Sequence, residues 1–165
     1  MSSTKATIGN LEDAFDAIRR QESKFYQCRD YLSPEFQAEL AKEVANSPNL
    51  HIFASGLSSN SSSSSLSKTG INECWREKIC EWSYQVIDHF DFNREIVSIS
   101  LSYLDRYVST RPVNRKVFQL AAMTSLFLAI KLYEPSNLKM SSFIELSRGY
   151  FSTEHIVAME EAILW

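Results

Sequence analysis

The sequence predicts an all-α bundle, on three grounds. Glycine and proline are scarce, four of each in 165 residues, which leaves little turn chemistry for a β-sandwich. From residue 72 onward apolar side chains return at helical spacing. Residues that cap helices, Asn72, Asn93 and Ser152 or Thr153, stand at the starts of the periodic runs.

The elements follow in order. Residues 1–9 are expected to be disordered, and 10–54 to form a helical arm. Leu11, Phe15, Ile18, Phe25 and Tyr26 give residues 10–32 an apolar stripe, and Ser33-Pro34 is expected to end that helix. A weaker helix is expected over 35–45, stopping before Ser47-Pro48. Residues 55–70, with five consecutive serines from Ser61 to Ser65, bury almost nothing and read as a flexible linker. The bundle itself is expected over 71–165. Its first helix carries Trp75, Ile79, Trp82, Val86 and Phe90, and its second carries Val97, Leu101, Leu104 and Val108. Pro112 breaks the chain before a long apolar third helix that runs to Lys131 and stops at Pro135. A short fourth helix holds Phe143, Ile144 and Leu146 and ends at Gly149. The fifth presents Ile156, Val157, Met159, Ile163 and Leu164. Five short-looped helices of this kind bury one another's stripes.

Composition narrows the function. A net charge of −3 lacks the basic footprint of a nucleic-acid binder and favours a protein partner. Cys28, Cys74 and Cys80 form neither a disulfide framework nor a zinc spacing, which points to a reducing compartment. The first residues lack a signal-peptide core. The run from Leu120 to Ile130 is short for a bilayer and carries Thr124 and Ser125, so it is expected to be a core helix and the protein soluble, with no membrane partner. No metal or cofactor is expected, and no catalytic residue. His51, His89 and His155 stand apart without a nucleophile–base arrangement, and no glycine loop cradles phosphate.

A few charged residues stand out against this pattern. Arg76 follows Trp75 on the first bundle helix and Asp105 follows Leu104 on the second. A guanidinium and a carboxylate on neighbouring helices suit a two-pronged pair that fixes their rotation. Lys131 closes the long helix, where a base complements the helix dipole. Glu160, beside Glu161, reads equally as a solvated acid.

Residues 72–165 resemble the first cyclin fold of cyclins, the regulatory subunits of cyclin-dependent kinases. The likeness rests on Arg76 with Trp82, on Tyr103-Leu104-Asp105-Arg106-Tyr107, on Gln119-Leu120, on Ala129-Ile130-Lys131-Leu132-Tyr133-Glu134, and on Met159-Glu160. Residues 19–32 are similar to the helix that precedes the box in mitotic and D-type cyclins, and Arg111-Pro112-Val113 is nearest to the D-type. The resemblance implies that Arg76 and Asp105 form a scaffold ion pair. It implies that Lys131, Glu160 and Leu120 contact the kinase, with the two charges facing outward, and that the preceding helix packs across the box. It implies cell-cycle control in the nucleus and/or cytoplasm, and a docking groove for substrate peptides at Trp75, Ile79, Trp82 and Gln85. Lys78 and Gln85 depart from the family's groove, since a cation replaces an apolar residue and an amide replaces an acid. Most cyclins continue into a second fold, which this sequence is expected to lack. The alternative is a cyclin-fold adaptor that binds proteins without activating a kinase.

Overall fold

The structure is a computed structural model that describes residues 3–46, 71–111, 113–134 and 138–165. The serine-rich segment, Pro48, His51, Pro112 and Pro135 lie outside the described residues. Seven helices and no strand occur among the described residues: α1 (Ser3–Phe25), α2 (Pro34–Asn46), α3 (Glu73–His89), α4 (Glu95–Val108), α5 (Arg115–Tyr133), α6 (Met140–Glu145) and α7 (Thr153–Leu164). The all-α expectation is met, with five helices in the bundle.

The arm departs from expectation at three points. Helix α1 begins at Ser3, inside the stretch expected to be disordered. Ala6 and Ile8 suit a helix, and one interior glycine, Gly9, costs only about 1 kcal/mol. The helix then stops at Phe25 rather than continuing to residue 32. The Asp30 carboxylate accepts from the Leu32 amide at 3.0 Å and its carbonyl from the Ser33 amide at 3.2 Å, a turn that competes with helical pairing. Ser33-Pro34 therefore opens α2. Ser33 Oγ accepts from the Phe36 amide at 3.3 Å, and Pro34 takes the first helical position, where its missing N–H costs nothing. Finally, the stripe of α1 is uncovered: Leu11, Phe15 and Ile18 are at least half exposed. Of residues 19–32, expected to pack across the box, Tyr31 and Leu32 do so beyond the end of α1, while the stripe of α1 itself stays exposed.

Within the bundle Asn72 and Ser152 cap the helices as expected, whereas the cap position of α4 falls to Arg94, without a side-chain bond, and Asn93 stands one residue ahead of it. Asn72 Oδ1 accepts from the Trp75 amide at 3.2 Å and Asn93 Oδ1 from the Glu95 amide at 2.9 Å. Asn114, not anticipated, accepts from the Val117 amide at 2.9 Å and starts α5. Ser152 and His155 form a reciprocal capping box on α7, the Ser152 amide donating to His155 Nδ1 at 3.1 Å. Asp91 takes a left-handed φ of 56° at the α3–α4 corner, a conformation that Asp tolerates better than most residues. An Asp88–Arg94 pair spans the same corner at 2.8 Å.

Helix α5 is the spine. Every residue from Ala121 to Ile130 is buried, and α5 packs most extensively against α4 and then α7. Its 19 residues are long and apolar enough to cross a membrane by length and composition, but here neighbouring helices cover that surface. One cluster gathers Ile87, Val97, Leu126, Phe127, Ile130, Phe143 and Ile156 around one part of α5. A second gathers Leu104, Val108, Phe118, Ala121 and Met159 with Tyr31 and Phe36 from the arm. On α3 the buried residues are Ser83, Val86 and Ile87. The core face is thus turned slightly from the expected stripe, because small Ser83 meets the neighbouring helices.

Truncating Phe118 to alanine should cost about 3–5 kcal/mol, whereas Phe15→Ala on the uncovered stripe should change stability by less than about 0.5 kcal/mol. Urea unfolding of the two variants checks the contrast, and equal losses would contradict it.

Candidate functional site

The predicted Arg76–Asp105 pair forms. Arg76 Nε donates to Asp105 Oδ1 at 3.0 Å and Nη2 to Oδ2 at 2.7 Å, the two-pronged geometry that locks α3 against α4. A third member comes from the arm. Tyr31 Oη donates to Asp105 Oδ1 at 2.7 Å, and the Gln37 side chain holds the Tyr31 carbonyl. Periodicity could not reveal Tyr31, because the sequence reading placed it in a continuous helix. The Asp105 hydrogen bonds push the Arg76 guanidinium above its ordinary value. Burial, reinforced by the hydrogen bond to Asp105, raises the Tyr31 hydroxyl, which stays a donor. The Arg76 side chain is 37% exposed and that of Asp105 19%. Water therefore screens part of the attraction.

Lys131 and Glu160 are also brought together, from the end of α5 and from α7. Lys131 Nζ lies 2.6 Å from Glu160 Oε1. The lysine side chain is 55% exposed and the glutamate 14%, so the two charges do not both face outward as expected. They occupy each other at the surface, with Glu160 mostly covered. Leu120 does not join them as an exposed contact. It is half-buried and packs against both apolar clusters, which makes it a bridge within the core. Sequence reasoning missed the apolar rim around the pair. Leu132 and Tyr133 follow Lys131 and are exposed, as are Val157 and Leu164, each about one turn from Glu160 on α7. The signal was present: apolar residues that fall off the buried stripe, beside a charge.

The four groove residues lie along α3. Trp75 and Ile79 are half-buried against the second cluster and Trp82 against the first, while Gln85 is exposed. Two cations sit over the Trp75 ring, Lys78 at 5.9 Å and Arg115 of α5 at 4.9 Å. No cluster of three or more metal-ligating side chains occurs among the described residues, and the three cysteines are unpaired thiols.

The family described as "Cyclin, N-terminal domain" matches residues 52–165, well over half of the chain. The chain belongs to the cyclin family. Its match begins ahead of residue 71, where the bundle is first described. Among relatives, the G2/mitotic-specific cyclin-B2 of Bos taurus is 28% identical over 137 residues, 83% of this chain and 31% of that protein. Cyclin-B2 of Rana japonica is 32% identical over 94 residues, 57% of this chain and 24% of that protein. Cyclin-B1-1 of Arabidopsis thaliana is 31% identical over 98 residues, covering 59% and 23%. This cyclin sequence spans a third or less of the length of these relatives.

Replacing Asp105 with asparagine should cost about 2–3 kcal/mol, below the figure for a fully buried pair because of solvent screening. Tyr31→Phe should cost about 1–2 kcal/mol, and clearly less in the Asp105→Asn background, since the two act through one carboxylate. A urea-denaturation cycle measures this; simple additivity would mean that the tyrosine hydroxyl is uncoupled from the pair.

Proposed function

We propose that this cyclin is the regulatory subunit of a cyclin-dependent Ser/Thr protein kinase and acts in cell-cycle progression within the nucleus and/or cytoplasm. The observation that carries the reading is the Lys131–Glu160 pair, seated at the surface inside an apolar rim of Leu132, Tyr133, Val157 and Leu164. The mitotic names of its relatives support the same reading. The chain does no chemistry in this role. Lysine has three donors and glutamate only acceptors. Each exchanges its present partner for main-chain groups leading into the kinase's mobile helix. Water screens the pair at its lysine end, whereas the mostly covered Glu160 needs a replacement donor from the kinase main chain. Helix packing then holds the kinase's lysine–glutamate pair in place and orders its activation loop.

Magnitudes show what else is required. Moving a kinase from 1% to 99% active needs about 5.5 kcal/mol of differential affinity. Two exchanged charges cannot supply that, so the apolar rim and the uncovered Leu11, Phe15 and Ile18 stripe of α1 carry most of the differential burial. The groove on α3 is the proposed site for substrate peptides. Its two cations over Trp75 disfavour the basic ones.

Lys131→Ala with Glu160→Ala should abolish co-purification with a cyclin-dependent kinase and stimulation of its activity, while Tm shifts by only a few degrees. Kinase binding unchanged in the double variant would overturn the proposal. Binding to other proteins without stimulation would favour the adaptor.

In a fluorescence-polarisation titration, basic-x-leucine peptides should bind this chain about tenfold more weakly once its groove carries Lys78 than when Lys78→Ile restores an apolar residue. Equal affinity of the two proteins would show that the cation is irrelevant.

A further inference from the structure

A cleft of about 460 Å³ opens between the end of α1, α4 and the end of α5, lined by Tyr26, Ser98, Ser102, Tyr103, Arg106 and Tyr133. Its lining holds a guanidinium and several hydroxyls but no carboxylate. Arg106 is half-buried between two aromatic faces, 5.1 Å from the Tyr26 ring centre and 5.4 Å from that of Tyr103. One of its donors is used: Nε reaches the Ser102 carbonyl at 3.3 Å. Among the described residues no acid pairs with Arg106, since the ion pairs formed there involve Asp16, Glu39, Asp105, Asp88 and Glu160 with other bases. Asp105, its neighbour in sequence, is committed to Arg76.

A guanidinium has five N–H donors in a fixed fork, and here the fork's outer edge is left to a ligand. Partial removal from water makes an anion there worth more than on an open surface. The hydroxyls extend the donor set. Burial raises the Tyr103 hydroxyl above its ordinary value, so it remains protonated. Ser102 lies one turn before Arg106 on the same face, while Ser98 is spent on the Glu95 carbonyl at 2.7 Å. One guanidinium with several surrounding hydroxyls outnumbers the two oxygens of a carboxylate and suits the three of a phosphoryl group. The cleft exceeds the few water volumes, each about 30 Å³, that a phosphoryl group fills. The remainder, walled by tyrosine rings and Ile99, accommodates the side chain that carries it.

We infer that this cleft binds the phosphoryl group of a phosphorylated partner polypeptide through Arg106, Ser102 and the surrounding tyrosine hydroxyls. The inference uses neither Lys131 nor Glu160, although Tyr133 belongs both to this cleft and to the rim around that pair.

The test is calorimetric titration of the full chain with N-acetyl-phosphotyrosine amide, N-acetyl-phosphoserine amide and inorganic phosphate. At least one phosphoamino amide should bind saturably and more tightly than inorganic phosphate. Arg106→Gln should weaken that binding by about tenfold or more. Ser102→Glu should do the same while leaving the fold intact, because it places a carboxylate where it can pair with Arg106. The second variant keeps the test decisive if the first unfolds, as circular dichroism would show. Absence of saturable binding, unchanged affinity in Ser102→Glu, or inorganic phosphate binding as tightly as both amides would each overturn the inference.

Discussion

The Asp105 carboxylate is the point on which the arrangement of this cyclin depends. It accepts from Arg76 on α3 through both oxygens and from Tyr31 of the arm through one. Two segments distant in sequence, α3 and the arm, are thereby fixed to α4. Apolar packing alone is non-directional and leaves helices free to rotate or slide within a few kcal/mol. A fork-to-fork ion pair has one acceptable geometry. The rotation it imposes on α3 puts Trp75, Ile79 and Trp82 along one edge and buries Ser83. The Tyr31 bond seats Phe36 in the second cluster as well, which makes the short stretch between α1 and α2 part of the box's core.

Around that node, α5 sets where the surface chemistry emerges. A helix buried over Ala121–Ile130 returns to solvent only at its ends. Arg115 emerges at one end, above Trp75, and Lys131 at the other, against Glu160. The two regions proposed to meet other proteins are thus held at a fixed separation by one rigid rod, about 1.5 Å per residue long. The Arg106 cleft lies on the flank of α4 and borders the Lys131 end through Tyr133.

Much of this was legible in the sequence. The bundle helices, the Asn72 and Ser152 caps and the Arg76–Asp105 pair follow from periodicity and charge placement, because caps and stripes are local rules. What escaped was non-local. Tyr31 belongs to a turn that forms because Asp30 bonds its own backbone and because Tyr31 gains a carboxylate from α4, and no local pattern encodes the second cause. Leu120 matches the family's position, but its burial depends on two clusters meeting there. Lys131 and Glu160 were each readable, whereas their mutual pairing required the α5–α7 contact. The stripe of α1 is a real amphipathic pattern, but the pattern does not say what covers it, and nothing described in this chain does.

The contact between Tyr31 and Asp105 joins positions 74 residues apart. The entropy lost in closing such a span rises only with the logarithm of its length, so doubling it adds about 0.6 kcal/mol. A single hydrogen bond to a carboxylate outweighs that increment. A change in the number of residues between Tyr31 and Asp105 therefore alters the free energy of that contact by much less than the hydrogen bond itself contributes, so the seat of the tyrosine is insensitive to chain length.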